Sequence, residues 1–168
     1  MSEKIVNFII GSLGGLTTIP FIKEIIVFII SMCPILELRG GIIAARLFDM
    51  SPWISYLICI IGNILPIPFI LWLINIILKK MRNSKSKKVN GIAKWLDKKV
   101  DKHKGKIEKY GYWGLVLFVG IPLPGTGAWT GCLIAAVLEM DKKKSFLAAL
   151  LGVFMASIIM MLIFYGIL

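Results

Sequence analysis

Two ionisable residues, Glu37 and Arg39, sit two positions apart in the otherwise apolar stretch Cys33-Pro34-Ile35-Leu36-Glu37-Leu38-Arg39-Gly40-Gly41. A charge in a hydrocarbon interior costs at least ~2.5–3.5 kcal/mol, so residues of this kind normally face a cavity or a partner. On a helix, positions two apart point in different directions, and the pair therefore does not simply neutralise itself. Burial favours a neutral Glu37 while a helix N-terminus favours its anion, which makes it a candidate proton-exchanging group. The plainer role is a cap on the helix that starts after Pro34, where a glutamate commonly bonds the free N–H groups. Arg39 is a candidate anchor for an anionic group, and Gly40 and Gly41 complete this first set.

A second set has no charge at all. Residues Ile121 to Gly131 read I-P-L-P-G-T-G-A-W-T-G, where Pro122 and Pro124 break a helix and Gly125 and Gly127 free the backbone to present N–H groups. Thr126 can cap the helix expected from Ala128 onward, whose positive end binds phosphate or carboxylate without a side-chain charge. Trp129 could wall such a pocket and Thr130 could hydrogen-bond a ligand; the alternative is a proline kink with close-packing glycines. Asn63, beside Gly62 and ahead of Pro66 and Pro68, is polar in mid-span, and either completes the site or bonds a neighbouring helix. Met155, Met160 and Met161 read as lipid-facing or packing residues.

Other chemistries lack their parts. Cys33, Cys59 and Cys132 are far apart and form no C-x-x-C pair, and His103 stands alone in a lysine-rich loop, so no metal site is expected. There is no G-x-S-x-G and no nucleophile with a plausible base, so neither an enzyme nor a cofactor is expected.

The elements that must position these residues are those of an integral membrane protein. The 168 residues are 58% hydrophobic with a mean hydropathy of +0.85, against about 45–50% apolar for a soluble domain. Trp53 to Leu78 and Ser145 to Leu168 would form rods of roughly 39 and 36 Å, ample for a hydrocarbon core of roughly 30 Å. Phe21 to Cys33 and Ile35 to Phe48 reach only about 20 Å each, and Gly111 to Ile121 and Ala128 to Leu138 about 16 Å. These halves stop inside the membrane, where non-helical backbone is tolerated only if protein buries it or it lines a wet cavity. Paired broken helices are a sequence-level pointer to a transport site.

Net charge is +11, and thirteen of the twenty basic residues lie between Lys79 and Lys109, opposed there by Asp97, Asp101 and Glu108. A basic loop beside a spanning helix marks the cytoplasmic side. With Trp95 as its one tryptophan and no recognisable module, the loop does not read as a nucleic-acid binder. Ile92, Leu96, Val100 and Ile107 recur near helical spacing among the lysines, which predicts an amphipathic helix on the inner membrane face near anionic headgroups. Lys142, Lys143 and Lys144 fall on the same face if 111–138 enters and returns as a re-entrant hairpin. Working backward, 21–48 enters from outside, with Asp49 and Pro52 external, and Ile5 to Ile19 is a short helix starting at cytoplasmic Lys4. No cleavable signal follows Met1 to Lys4.

The two halves resemble each other: G-G-I-I-A-A-R-L-F-D-M from Gly40 parallels G-C-L-I-A-A-V-L-E-M-D from Gly131. The expected architecture is one all-α integral membrane domain, 1–168, with about three spanning helices and two opposed re-entrant hairpins in an inverted repeat. Residues 1–78 are the first half, 79–110 the basic linker and 111–168 the second half. Hairpins this short would be covered by a homodimer.

At E-L-R-G-G (Glu37 to Gly41), I-G-N (Ile61 to Asn63), Y-G-Y-W-G-L (Tyr110 to Leu115) and P-L-P-G-T-G-A-W-T-G (Pro122 to Gly131), the chain resembles the small multidrug export protein family. That resemblance implies a transporter in the cell's inner (plasma) membrane. The layout is more distantly similar to the DedA superfamily, the SNARE-associated or VTT group, whose opposed hairpins are implicated in moving polyprenyl phosphate and other lipids. The second tip here departs from that pattern in carrying neither arginine nor acid. The expected substrate is an amphiphile with an anionic head, held by Arg39 and the Gly125 to Thr130 terminus, with Glu37 exchanging a proton. The alternatives are a proton-coupled exporter of lipophilic cations, with Glu37 as counter-charge, and a non-transporting scaffold whose basic loop binds partners or anionic lipid.

Overall fold

The computed structural model describes residues 21–83, 87–123 and 125–166; the expected helix from Ile5 to Ile19 and the candidate residue Pro124 lie outside them. The described chain is all-helical and runs α1 (Ile22–Met32), α2 (Glu37–Leu47), α3 (Pro52–Ile64), α4 (Ile67–Arg82), α5 (Lys87–Gly120), α6 (Ala128–Val137) and α7 (Lys142–Tyr165). Among the described residues two stretches are long and apolar enough to cross a membrane, Pro52–Ile74 and Lys142–Tyr165. The rod expected over 53–78 is interrupted at Leu65 and Pro66, because Pro66 and Pro68 bring no N–H to the ladder. Bonds from Leu65 N to the Ile61 carbonyl (3.0 Å) and from Ile70 N to that of Pro66 (3.0 Å) carry the coil past the break.

Large apolar side chains cover the outside of the bundle as well as filling its interior. On α7 the inward face is mostly small, with Ala148, Ala149, Gly152, Ala156 and Ser157 buried beside Val153, Met160 and Met161, while Leu147, Leu151, Phe154, Ile158 and Ile163 are exposed. Leu151 is 56% exposed and Ala149 fully covered. Lipid is as apolar as leucine, so spanning helices associate through small residues that let backbones approach and leave bulky side chains to the hydrocarbon. Gly152 lies against α5 and Gly62 against α1: a Cβ would come within 2.6 Å of Val119 Cβ at the first and 2.9 Å of the Phe28 carbonyl at the second.

The short helices pair. α1 packs on α2 and α3, and the last part of α5 packs on α6 and α7. The expected boundary between basic linker and second hairpin falls inside α5 as a kink at Gly111 (φ 55°, ψ −133°), a conformation glycine adopts at little cost. α2 and α6 end alike. Phe48 N bonds the Ala44 carbonyl, Asp49 N that of Arg46 and Met50 N that of Ala45; Leu138, Glu139 and Met140 do the same to Ile134, Ala136 and Ala135. Asp49 (φ 51°) and Glu139 (φ 54°) take the left-handed conformation that closes such an end.

Two tyrosines fix which termini lie together. At one end of the molecule Tyr165 Oη shares a hydrogen bond with Ser55 Oγ (3.1 Å) and reaches the Met50 carbonyl (3.4 Å), with the Arg46 guanidinium over its ring at 5.6 Å. Lys23 Nζ donates to the Phe48 carbonyl (3.3 Å), so the start of α1 and the finish of α2 share that end. At the other end Asp141 N donates to Tyr112 Oη (3.2 Å), and Lys144 lies over the Tyr112 ring at 5.8 Å. Pro68, Leu71 and Trp72 of α4 border Lys142 and Lys143 there, so α3–α4 and α7 run antiparallel, with the lysines that open α7 beside α4. Exposed Trp53 at one end and Trp72, Tyr110 and Trp113 at the other match the aromatic girdles of a bilayer-embedded protein.

Replacing Gly152 with leucine should destabilise the fold by about 1–3 kcal/mol, because Val119 and the Val116 carbonyl leave no room for the side chain. Gly105→Ala, where nothing lies within 4 Å of the added carbon, should be neutral or stabilising by up to about 1 kcal/mol. Unfolding in mixed micelles would measure both, and equal effects would contradict the packing described.

Candidate functional site

The tips of the two helix pairs meet, and Glu37 makes the meeting. The α1–α2 turn, Cys33 to Leu36, places Glu37 at the first position of α2 with a left-handed backbone (φ 51°). From there its side chain reaches the other tip. Oε2 accepts from the Ala128 amide at 3.0 Å and Oε1 from the Trp129 amide at 3.1 Å. Glu37 therefore caps α6 rather than the helix it begins. The first amides of a helix have no partner within it and carry partial positive charge, so a carboxylate there gains two charge-assisted bonds in a site that leaves Glu37 only 6% exposed.

Gly127 makes room for this cap. A Cβ on it would lie 2.0 Å from Glu37 Oε2, and its φ of 125° is itself unfavourable for any side chain. Arg39, half-buried two residues on, points elsewhere, as helical geometry requires. Its Nη2 donates to Thr126 Oγ1 at 2.9 Å and its Nη1 to the Leu123 carbonyl, both uncharged acceptors. Thr126 Oγ1 also lies 3.0 Å from the Ile121 carbonyl and 2.8 Å from that of Leu123, so the turn is folded around its hydroxyl. Trp129 answers from the opposite side: its indole N–H donates to the Met32 carbonyl (3.0 Å), at the end of α1 where carbonyls lack helical partners.

The remaining candidates divide. Gly125 (φ 85°) turns the second tip, and Pro122 is half-buried beside it. Thr130 is buried in the first turn of α6. Gly40 and Gly41 are covered by protein, the first against Leu36 and Ile30 and the second against Ser31 Oγ and Cys59 Sγ, so they bring α2 close to α1 and α3. Asn63 is buried on α3 with Oδ1 lacking a hydrogen-bond partner among the described residues. No group of three or more His, Cys, Asp or Glu residues is placed to hold a metal ion among the described residues.

Sequence reasoning overlooked the Met32 and Leu123 carbonyls, since a backbone acceptor leaves no mark on residue type. Two cavities flank the tips. One of about 440 Å³ runs along α5 past Lys109, Tyr110, Gly114 and Phe118 to Leu123 and Thr126. The other, of about 350 Å³, is wholly apolar and lies along α4 between Pro66, Phe69, Leu73, Met32 and Trp129. Both are within the usual range for small-molecule sites.

Over residues 37–159 the chain matches the family described as "Putative small multi-drug export protein". The matched stretch begins at Glu37 and contains the described residues of both tips from there on. Neither the curated proteins nor the solved structures include a match.

Removing the cap should unlock the tips. Glu37→Ala leaves one buried and one half-buried amide without their acceptor, a loss of about 1–3 kcal/mol. Gly127→Ala should cost at least as much by expelling the same carboxylate. The double substitution should fall well short of the sum, because both changes break one contact. A thermal-unfolding double-mutant cycle measures this, and strict additivity would exclude the contact.

Proposed function

The chain belongs to the small multi-drug export family, a family of membrane exporters, and from that premise we propose that it translocates an amphiphile with an anionic head, such as a polyprenyl or lipid phosphate. The observation that carries this reading is the pairing of Arg39, bound to neutral oxygens, with a helix terminus whose amides are held by an exchangeable carboxylate. An anionic head competes with Glu37 for the α6 amides and takes Arg39 as its counter-ion. Glu37, once displaced, takes up a proton, and the proton is released when the carboxylate returns to the amides. That exchange couples head binding to proton movement. The cavity along α5 ends on the loop that Arg39 holds, which gives the apolar tail a route beside the head.

In this reading the α1–α2 and α5–α6 pairs are re-entrant hairpins from opposite faces, related as an inverted repeat, and alternating access comes from rocking them against the long helices. Matching helix ends support the repeat, and so do Gly41 with Gly131 and Gly62 with Gly152, each pair ninety positions apart. That register is one residue from the Gly40–Gly131 pairing suggested by sequence. At the same spacing Arg39 corresponds to Trp129, and each donates to a carbonyl of the opposite tip, Trp129 to the last residue of α1 and Arg39 to Leu123 in the loop after α5. The face bearing Lys142 to Lys144 and the basic linker is cytoplasmic in this arrangement.

A second reading, export of lipophilic cations, draws on the family's description and on the apolar cavity walled by Met32, Phe69 and Trp129. Substitutions in liposomes decide between the two. Lipid-phosphate transport predicts that Arg39→Ala abolishes translocation of the head while Glu37→Gln removes its pH dependence. Cation export predicts loss with Glu37→Gln and little effect of Arg39→Ala. Unaltered transport in both variants would discard the site.

A further inference from the structure

At the end of the molecule marked by Tyr112, away from the tips, a cavity of about 370 Å³ opens between α4 and α7. Pro68, Leu71, Trp72, Phe146 and Leu147 form its walls, and Lys142 and Lys143 stand at its mouth. We infer that it is a binding site for one anionic phospholipid of the bilayer, with the phosphate on the two lysines and an acyl chain along the apolar walls.

Charge selects the occupant. Among the described residues neither Lys142 nor Lys143 is ion-paired, and both are exposed. The nearest acid in sequence, Asp141, is engaged as the cap of α7, its Oδ1 accepting from Lys144 N at 2.8 Å. Lys144 is set apart over the Tyr112 ring, so the lysine triplet divides into one that braces the fold and two that face the cavity. No acidic side chain lines the cavity to receive the ammonium of a zwitterionic headgroup. Free phosphate would satisfy the lysines but leave the walls unused, and Trp72, 60% exposed, has the position of an interfacial ring beside a headgroup. Basic pockets between spanning helices recognise anionic lipid headgroups in this way. Since the walls come from both candidate spans, the lipid bridges α4 and α7. None of the tip residues takes part, so the site stands whether or not the transport reading does.

Native mass spectrometry of the purified protein, titrated with phosphatidylglycerol or phosphatidylcholine of the same chain length, tests the inference. The expected result is a one-lipid adduct with phosphatidylglycerol, weakened about tenfold or more by Lys142→Gln with Lys143→Gln, and restored by arginine at both positions. Lys94→Gln with Lys98→Gln, on the exposed linker, should leave the adduct intact, as should Arg39→Ala. Equal binding of phosphatidylcholine, an adduct indifferent to the two lysines, or displacement by millimolar inorganic phosphate would each overturn it.

Discussion

A carboxylate seated on the open end of another segment's helix holds the two halves of this molecule together. Everything near the middle of the fold follows from the cost of leaving such a helix end bare in a medium without water. α6 begins far from either end of the molecule, so its first amides need an acceptor from within the chain, and Glu37 provides one from ninety-one residues away. The same need explains Gly127, whose missing side chain admits the carboxylate, and Trp129, which supplies a donor to the bare carbonyl end of α1. Arg39 closes the remaining side by gripping the turn around Thr126. Donors and acceptors cross between the tips in both directions, so neither pair is complete alone.

Around this polar knot close helix approach shapes the packing. Gly41, Gly62, Gly131 and Gly152 each lie where a helix crosses a neighbour, and a Cβ at any of them would approach another atom to within 3 Å. Such crossings let the short helices press against the long ones. Large apolar residues are then free for the outer surface, where a soluble protein would place its charges.

Much of this was legible in residue types. Proline and glycine at Pro34, Gly40, Pro122, Gly125 and Gly127 mark the two breaks, and rod lengths alone separate short helices from long ones. Charge placement predicts one face for the basic linker, which follows the long apolar run 53–78, and for Lys142 to Lys144, which follow the second broken segment. The mutual capping was not legible. A glutamate followed by a helix reads as that helix's own cap, and only the fold shows that the left-handed turn at Glu37 aims it elsewhere. Nor could sequence weigh Pro66 correctly, because whether a proline ends a helix or merely interrupts its ladder depends on the neighbouring bonds that carry the coil past it. Gly40 and Gly41 looked available to a ligand, yet their free faces are filled by Leu36, Ser31 and Cys59.

The backbone at Glu37 carries a further consequence. A side-chain-bearing residue with φ of 51° sits roughly 1–2 kcal/mol above its relaxed geometry. The two amide bonds therefore hold a cocked segment, and letting go of them returns part of that energy to the chain. Breaking the two bonds thus costs less than their number alone suggests.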